Sequence, residues 1–379
     1  MPDSIQRILL LDGELSFRGS SLLTLRMARG LERRELDTAL VCTRCDGLDE
    51  SLLKGVRLHE IPGYNIPVWG HLVLRTLYRD MKEQRPDVIH LQDSRLIAQG
   101  LRLARKLSRP LIVSLNDHVE ASSFVLKTPA PELKLIVSVS ESVQQQIPDS
   151  TYVVPIEKRV ILPGVAVPED SVVDPPLDDD RPPVIGMAGP LEIVKGAAFF
   201  LRACHRVIEA GYNIRIVIAG SGPEERSLRN LASSLDLSRR LTFVDGGVNM
   251  AGYLSAIDIF CLPSLQQGLG VMMLEAMALG RPVIASGVGG IISVVEDNVS
   301  GLIVPPSDSR ALGDRIIELL QNRDRAKAIA AAGQQLIRDR FNEERMLDEW
   351  IQAYREAQKS MPAPPEATPA VVRTTGIWH

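Results

Sequence analysis

Short apolar runs alternate with amphipathic stretches along the first part of the chain. These runs predict buried β-strands, because each is only four to six residues long and is bounded by polar or turn-forming segments. They cover residues 8–11, 38–42, 87–91, 110–115 and 135–139. Residues 20–34 and 97–107 have apolar positions at helical spacing and predict helices between the strands. This alternation is typical of a parallel sheet with helices on both faces.

The same alternation restarts after a segment that offers little to bury. Residues 166–183 are rich in proline and aspartate, which predicts a linker or an exposed loop. After it come predicted strands at 184–187, 214–219, 241–244, 259–262 and 282–285, and predicted helices at 197–210, 224–235, 271–279 and 311–322. The sequence therefore predicts an α/β protein with two Rossmann-like, doubly wound domains, 1–165 and 184–340, that face a cleft. Residues 360–379, with several prolines and small side chains, predict a disordered tail.

Composition and charge argue against several classes of protein. The chain is 45% hydrophobic and 24% charged, as globular proteins are, and its formal net charge is −4. This charge balance argues against a nucleic-acid-binding surface, which usually needs a basic excess. No apolar run approaches the roughly 18–20 residues that span a bilayer. The apolar stretch near the start is too short for a secretory signal, so we expect a cytoplasmic protein.

The four cysteines do not predict a metal site. Cys42 and Cys45 form a CxxC pair, but Cys204 and Cys261 are isolated in the sequence. A structural zinc site needs four ligands, and no second pair supplies them. Reduced cysteines are the favoured interpretation, and a redox role for the CxxC pair is the alternative.

The residues most indicative of chemistry lie in 262–286, LPSLQQGLGVMMLEAMALGRPVIAS. A predicted strand ends there in a glycine-containing loop, and a helix begins near Val271. Gly268 and Gly270 allow the backbone to approach a ligand closely. The N–H groups and positive dipole end of the helix point at this loop, which favours a bound diphosphate. Glu275 lies one turn into the helix, where its carboxylate could accept hydrogen bonds from two ribose hydroxyls.

This segment resembles the donor-site signature of the retaining GT-B glycosyltransferases of family 4, P-S-x-x-E-G-x-G-x-x-x-L-E-A-M-A-x-G-x-P-V-x-A-S. Residues 186–196 (GMAGPLEIVKG) resemble the family's phosphate clamp, and 219–223 (AGSGP) resemble its G-x-G-P turn. Residues 341–359 are similar to its terminal helix, which packs back across the cleft. The resemblance is strongest after residue 184.

The resemblance assigns roles to individual residues. It implies that Lys195 neutralises the donor phosphates, that Glu275 binds the ribose, and that such a site needs no metal or other cofactor. The catalytic candidates are Lys195, Gln267, Asn116 and His118. The donor-binding candidates are Arg18, Gly19, Lys195, Gly222, Gln267, Gly268, Leu269, Gly270, Val271 and Glu275.

Several positions depart from the family pattern. Gln267 stands where the family has the first glutamate of a pair, and Pro190 stands where it has a phosphate-binding arginine. Asn116 replaces a histidine, and Arg18 with Gly19 replaces a glycine pair. The added cation of Arg18 could therefore replace the missing arginine.

The predicted function is transfer of a sugar, with retention, from a nucleoside diphosphate donor to a hydroxyl acceptor. The acceptor could be a glycan, a lipid-linked molecule or a small molecule. The alternatives are a catalytically weak or inactive GT-B partner subunit and a sugar-nucleotide epimerase on the same fold. A basic stretch that includes Arg102, Arg105 and Lys106 is interpreted as a solvated face, with peripheral contact to the inner membrane face as the alternative.

Overall fold

The computed structural model describes residues 5–16, 18–46, 48, 50–63, 77–79, 81–82, 84–126, 128–148, 156–168, 176–177, 181–245 and 250–361. Most of the predicted tail lies outside these residues. Strands of the first half are β1 (Arg7–Leu11), β2 (Glu14–Leu15), β3 (Asp37–Cys42), β4 (Arg44–Cys45), β5 (Arg57–Glu60), β6 (Val88–Leu91), β7 (Leu111–Leu115), β8 (Leu133–Ser138) and β9 (Glu157–Val160). Within the described residues, seven of them form one parallel sheet in the order β5-β3-β1-β6-β7-β8-β9. The short strands β2 and β4 pair separately.

The second half repeats this arrangement. Its strands are β10 (Val184–Ala188), β11 (Arg215–Ala219), β12 (Leu241–Val244), β13 (Ile259–Leu262), β14 (Val283–Ser286) and β15 (Leu302–Val304). Over the part of the chain described, they form a six-stranded parallel sheet in the order β12-β11-β10-β13-β14-β15. In each sheet the strand order reverses beside the first strand, between β1 and β6 and between β10 and β13. Ligands of doubly wound sheets bind in the crevice at such a reversal, beyond the carboxyl ends of the strands.

Helices cover both sheets. They are α1 (Gly19–Arg33), α2 (Glu50–Leu53), α3 (Ile97–Leu107), α4 (His118–Ser123), α5 (Glu141–Gln144), α6 (Ala197–Glu209), α7 (Glu225–Ser234), α8 (Met250–Ala256), α9 (Val271–Ala278), α10 (Ile291–Val294), α11 (Ser309–Gln321), α12 (Arg323–Arg340) and α13 (Glu343–Lys359). The two parallel-sheet α/β domains confirm the predicted fold class. Among the described residues, no helix is long and apolar enough to cross a membrane.

Part of the predicted linker is docked rather than exposed. Leu177 is buried, and its N–H donates a hydrogen bond of 2.8 Å to the buried carboxylate of Asp258. Arg181 forms an ion pair of 2.7 Å with the same carboxylate, and the N–H of Val184 donates to it as well. The side chain of Asp258 therefore fixes the entry to β10, which the composition of the segment did not indicate.

The last helix, α13, returns to the N-terminal sheet. Trp350 and Tyr354 of this helix are buried in a cluster with the core of that sheet. His90 of β6 lies 2.7 Å through Nδ1 from the Tyr354 hydroxyl and 2.8 Å through Nε2 from Ser114 Oγ. Its ring is also 4.3 Å from that of Trp350. These contacts make His90 a structural residue that joins α13 to the sheet.

Acidification should destabilise the protein through His90. Burial lowers the pKa of His90 to about 3, against 6.5 for the ordinary side chain. Below pH 6.5 the side chain of His90 binds a proton in the unfolded chain but not in the folded chain. The free energy of unfolding therefore decreases as the pH falls below 6.5. Between roughly pH 6.5 and pH 4.5, we expect the wild type to lose about 2–3 kcal/mol of its free energy of unfolding through His90, and His90→Gln not to show this part of the loss. Urea denaturation at several pH values measures it. His205→Gln on α6 is the control. If the free energy of unfolding of His90→Gln fell with pH as steeply as that of the wild type, the prediction would be contradicted.

Candidate active site

A cavity of about 370 Å³ lies between the two domains. The N-terminal domain contributes the start of α1 and the loop after β7, and the C-terminal domain contributes the turn before α6 and the loop before α9. Most of the predicted site residues meet here. The lining includes Arg18, Gly19, Asn116, His118, Lys195, Gln267, Gly268, Leu269, Gly270 and Val271. Glu275 and Gly222 do not line this cavity.

Two helix N-termini open onto the cavity. A Cβ placed on Gly19, the first residue of α1, would lie 3.1 Å from the Cβ of Val271, the first residue of α9. Neither helix has an acidic residue in its first turn. The free N–H groups and the positive dipole ends of both helices are therefore concentrated in one place, which favours an anionic ligand.

Lys195 ends a 3₁₀ turn, Ile193–Lys195, beside the cavity. Its Nζ donates a hydrogen bond of 3.0 Å to Oε1 of Gln267, which also accepts one of 3.3 Å from Ser264. No carboxylate lies within ion-pair distance of Nζ among the described residues. Burial lowers the pKa of Lys195, while the nearby carboxylates of Glu192 and Asp117 raise it. The ammonium is thus partly desolvated and lacks a direct anionic partner, which strengthens its attraction to a bound phosphate.

A second cation reaches the cavity from the other domain. Arg18, which precedes α1, forms an ion pair of 2.6 Å with Glu192 of the C-terminal domain. The Arg18 side chain is 55% exposed, so this pair can exchange for a ligand at small cost. Glu192 was not predicted from the sequence, since nothing near residue 192 indicates a partner in the first domain.

The glycine loop lies directly against the N-terminal domain. A Cβ on Gly268 would come within 2.3 Å of the carbonyl oxygen of Asn116. On its other side, Gly268 accepts a hydrogen bond of 2.9 Å from the N–H of Gly290. The glycine-rich turn before α10 therefore supports the loop from behind, a feature that the GVGG run at 287–290 could have indicated.

The predicted residues Asn116 and His118 follow β7, and His118 is the first residue of α4. Asn116 donates through Nδ2 to the carbonyl of Gln92 at 2.9 Å, and through its N–H to Oε2 of Glu120 at 2.9 Å. Asp117 caps α4 by accepting from the N–H of Glu120 at 2.8 Å. Burial, together with nearby carboxylates, raises the pKa of Glu120 to about 8. This carboxyl group, absent from the sequence prediction, can exchange a proton near neutral pH.

Two predicted donor-binding residues lie apart from the cavity lining. Gly222 packs in the turn after β11, where a Cβ would lie 2.6 Å from the carbonyl oxygen of Leu191. Glu275 lies one turn into α9, and its Oε1 accepts a hydrogen bond from Nη2 of Arg26 on α1. Both side chains of this pair are 15% exposed.

The CxxC pair lies outside the cavity. Cys42 and Cys45 are both free thiols, and Cys42 is buried. Burial, with a smaller contribution from Cys45, raises the pKa of the Cys42 thiol to about 12. A protonated thiol is a poor nucleophile, so this environment favours a structural interpretation of the pair.

Both halves of the chain match families of known proteins. Residues 17–167 match the family described as Glycosyltransferase Family 4, and residues 172–336 match Glycosyl transferases group 1. The chain belongs to the GT-B glycosyltransferases of these families. HepE of Anabaena, solved in complex with UDP and glucose, has the same fold as this family member. Its TM-score is 0.75 at 18% identity, over 92% of this chain and 99% of HepE.

Curated relatives of this glycosyltransferase family member match shorter stretches. The D-inositol 3-phosphate glycosyltransferase of Saccharomonospora viridis is 30% identical over 255 residues, which are 64% of this chain and 55% of that protein. A GDP-mannose-dependent monoacylated alpha-(1-6)-phosphatidylinositol monomannoside mannosyltransferase of Corynebacterium glutamicum is 37% identical over 164 residues, 41% of this chain and 42% of that protein. The chain thus spans about half the length of these curated relatives.

Proposed function

We propose that this chain transfers a sugar, with retention, from a nucleoside diphosphate donor to a hydroxyl group of an acceptor. One observation carries the proposal: two helix N-termini, Lys195 and Arg18 converge on a single cavity between two doubly wound domains. That arrangement suits a pyrophosphate. The fold that the chain shares with HepE, whose structure contains UDP and glucose, supports the same ligand class.

Charge stabilisation explains how the site would assist transfer. When the bond between the anomeric carbon and the diphosphate breaks, negative charge grows on the departing phosphate. The Lys195 ammonium and the two helix ends border the cavity, so they would stabilise the charge of a phosphate bound there without reorganising. Arg18 supplies a second cation that Pro190 cannot provide. With these fixed positive groups, we propose that donor binding requires no metal ion.

The sugar-binding side involves Gln267. Its amide oxygen faces Lys195, and its amide group can donate a hydrogen bond to a sugar hydroxyl. Unlike a glutamate, it adds no negative charge next to the cleaving bond. We therefore propose that Gln267 orients the sugar, while the electrostatic contribution comes from the phosphate side. Retention is supported by the family membership and is checked by the anomeric configuration of the product.

The acceptor would enter on the side of the loop after β7. Val119 of the N-terminal domain and Val194 of the C-terminal domain line the cavity, and they are 63% and 36% exposed. Ile193, beside Val194, is 71% exposed. Apolar side chains on both sides of the cavity favour an acceptor that carries an apolar part next to its hydroxyl group.

The basic stretch of α3 is partly neutralised, because Arg105 pairs with Glu132 at 3.0 Å. This stretch therefore adds little to the case for membrane contact.

A nucleotide-binding assay tests the proposal. We expect at least one nucleoside diphosphate sugar among the UDP, GDP and ADP forms to raise the Tm, with or without EDTA, because it binds the folded chain selectively. Glu275→Ala should weaken that binding at least about tenfold, since hydrogen bonds to a charged acceptor contribute about 1.5–3 kcal/mol. The control is Glu225→Ala, which removes a surface glutamate paired with Arg229 in the same domain.

The same assay separates the alternatives. Binding with donor hydrolysis or transfer supports a transferase. Binding without turnover under any acceptor condition would favour a non-catalytic GT-B subunit. Conversion of one nucleotide sugar to another in the absence of acceptor would favour an epimerase. A chain that binds none of the nucleotides would contradict the proposal itself.

A further inference from the structure

Arg26 links the two domains at the predicted ribose carboxylate. It lies on α1 of the N-terminal domain, and its Nη2 donates to Oε1 of Glu275 on α9 of the C-terminal domain. The two residues are 249 positions apart in the sequence. Each side chain is only 15% exposed, so water screens this pair less than a surface pair.

The guanidinium of Arg26 is held by two further contacts. Its Nη1 donates a hydrogen bond of 3.3 Å to the carbonyl of Gly164, in the segment that follows β9. Its Nε lies 3.8 Å from Oε2 of Glu343, the first residue of α13. A single side chain therefore touches α9, the segment leaving the first sheet, and the last helix. Such a planar group with several fixed donors has little freedom to move away.

The contacts leave one oxygen of Glu275 available. Oε1 is taken by Arg26, whereas Oε2 accepts no hydrogen bond from any of the described residues. The flanking α9 residues Leu274 and Ala276 are buried. A carboxylate with buried neighbours needs a polar partner, and Arg26 supplies the hydrogen bond that orients it.

We propose that Arg26 is a positioning residue for the nucleotide ribose. From one domain it fixes the carboxylate of Glu275 in the other, so that Oε2, which has no partner among the described residues, accepts a ribose hydroxyl. This inference rests on the proposed donor site. It also means that full recognition of the ribose requires the two domains to be together, because the residue that orients the carboxylate belongs to the domain opposite the nucleotide.

Nucleotides with and without ribose hydroxyls test the proposal. The probe is whichever of UDP, GDP, ADP and CDP binds the wild-type chain most tightly, together with its 2′,3′-dideoxy analogue. We expect the wild type to prefer the ribonucleotide about tenfold, in keeping with hydrogen bonds to a charged acceptor. Arg26→Ala should reduce that ratio to about twofold by weakening the ribonucleotide alone, and Arg26→Lys should restore part of it.

Arg33→Ala is the matched control. Arg33 is on the same helix and also pairs with Glu343, at 2.5 Å, but it does not touch Glu275. We expect it to leave the ratio at the wild-type value. An unchanged ratio of the two affinities in a folded Arg26→Ala or Arg26→Gln chain would overturn the inference. If both affinities fell equally, the role of Arg26 would be merely structural. If the wild type binds no nucleotide at all, the proposed function fails instead.

Discussion

Replacing Lys195 with alanine should lower the rate of sugar transfer by about 10²–10³-fold, the typical effect of removing one preorganised electrostatic donor. Its ammonium lies 3.0 Å from Oε1 of Gln267 and has no carboxylate within ion-pair distance among the described residues, so its charge is available to the leaving phosphate. The loss should appear mainly in kcat, because the phosphate charge that Lys195 meets grows as the bond breaks. Steady-state kinetics with donor and acceptor varied in turn measure the effect.

Lys327→Ala provides the control for this variant. Lys327 is exposed on α12 and should be replaceable without loss of rate. Lys195→Arg keeps the charge but not the compact geometry, and we expect an intermediate rate. If Lys195→Ala transferred sugar at the wild-type rate, phosphate stabilisation by this residue would be excluded. Arg18 and the two helix ends would then be the remaining positive groups.

Gly196→Ala should both destabilise the chain and abolish most of its transfer activity. Gly196 links Lys195 to α6 with a φ of +72°, and an added Cβ would lie 1.9 Å from the carbonyl oxygen of Pro263. The contact is with the backbone of the residue that follows β13 and leads into the glycine loop, so either the 3₁₀ turn or that loop must move. We expect a loss of about 2–5 kcal/mol in the free energy of unfolding, the sum of left-handed backbone strain and overpacking.

Gly211→Ala separates the two contributions. Gly211 follows the other end of α6, with a φ of +91° and open space where the Cβ would lie. Its alanine variant should lose only about 1–2 kcal/mol, the cost of the left-handed conformation, and should retain transfer activity. Urea denaturation and sugar-transfer assays of both variants provide the measurements. Equal stability losses in the two variants would show that the contact with Pro263 is relieved at no cost.

Much of the fold was predictable because the central strands are buried on both faces. The run at 259–262 has the same bounds in the sequence prediction and in the structure, as the fully buried central strand β13. Strands β2, β4 and β15 were missed, and each is only two or three residues long. Strands β5 and β9 were missed as well. These two lie at the edges of the first sheet and have half-buried or exposed residues, so no continuous apolar run indicates them. The predicted helix at 20–34 begins at Gly19 instead, because the backbone of Arg18 is extended and helical geometry starts only after it.

The residues of the candidate site were likewise predicted only where a local sequence pattern indicated them. Residues of the glycine loop and Lys195 were predicted, since each belongs to a short local motif of strand, turn and helix. Glu192, Glu120 and Arg26 were not. Their importance comes from partners or surroundings supplied by other segments, and a spacing pattern carries no information on such pairs.

By itself, the sequence determined the two sets of alternating strands and helices and the glycine loop before α9, because local periodicity and backbone freedom are properties of neighbouring residues. Only the tertiary structure decided that α1 and α9 start at the same cavity, and that Arg26 holds Glu275. Those juxtapositions depend on how the two sheets and α13 pack together. That packing is set by burial over the whole chain and not by any single segment.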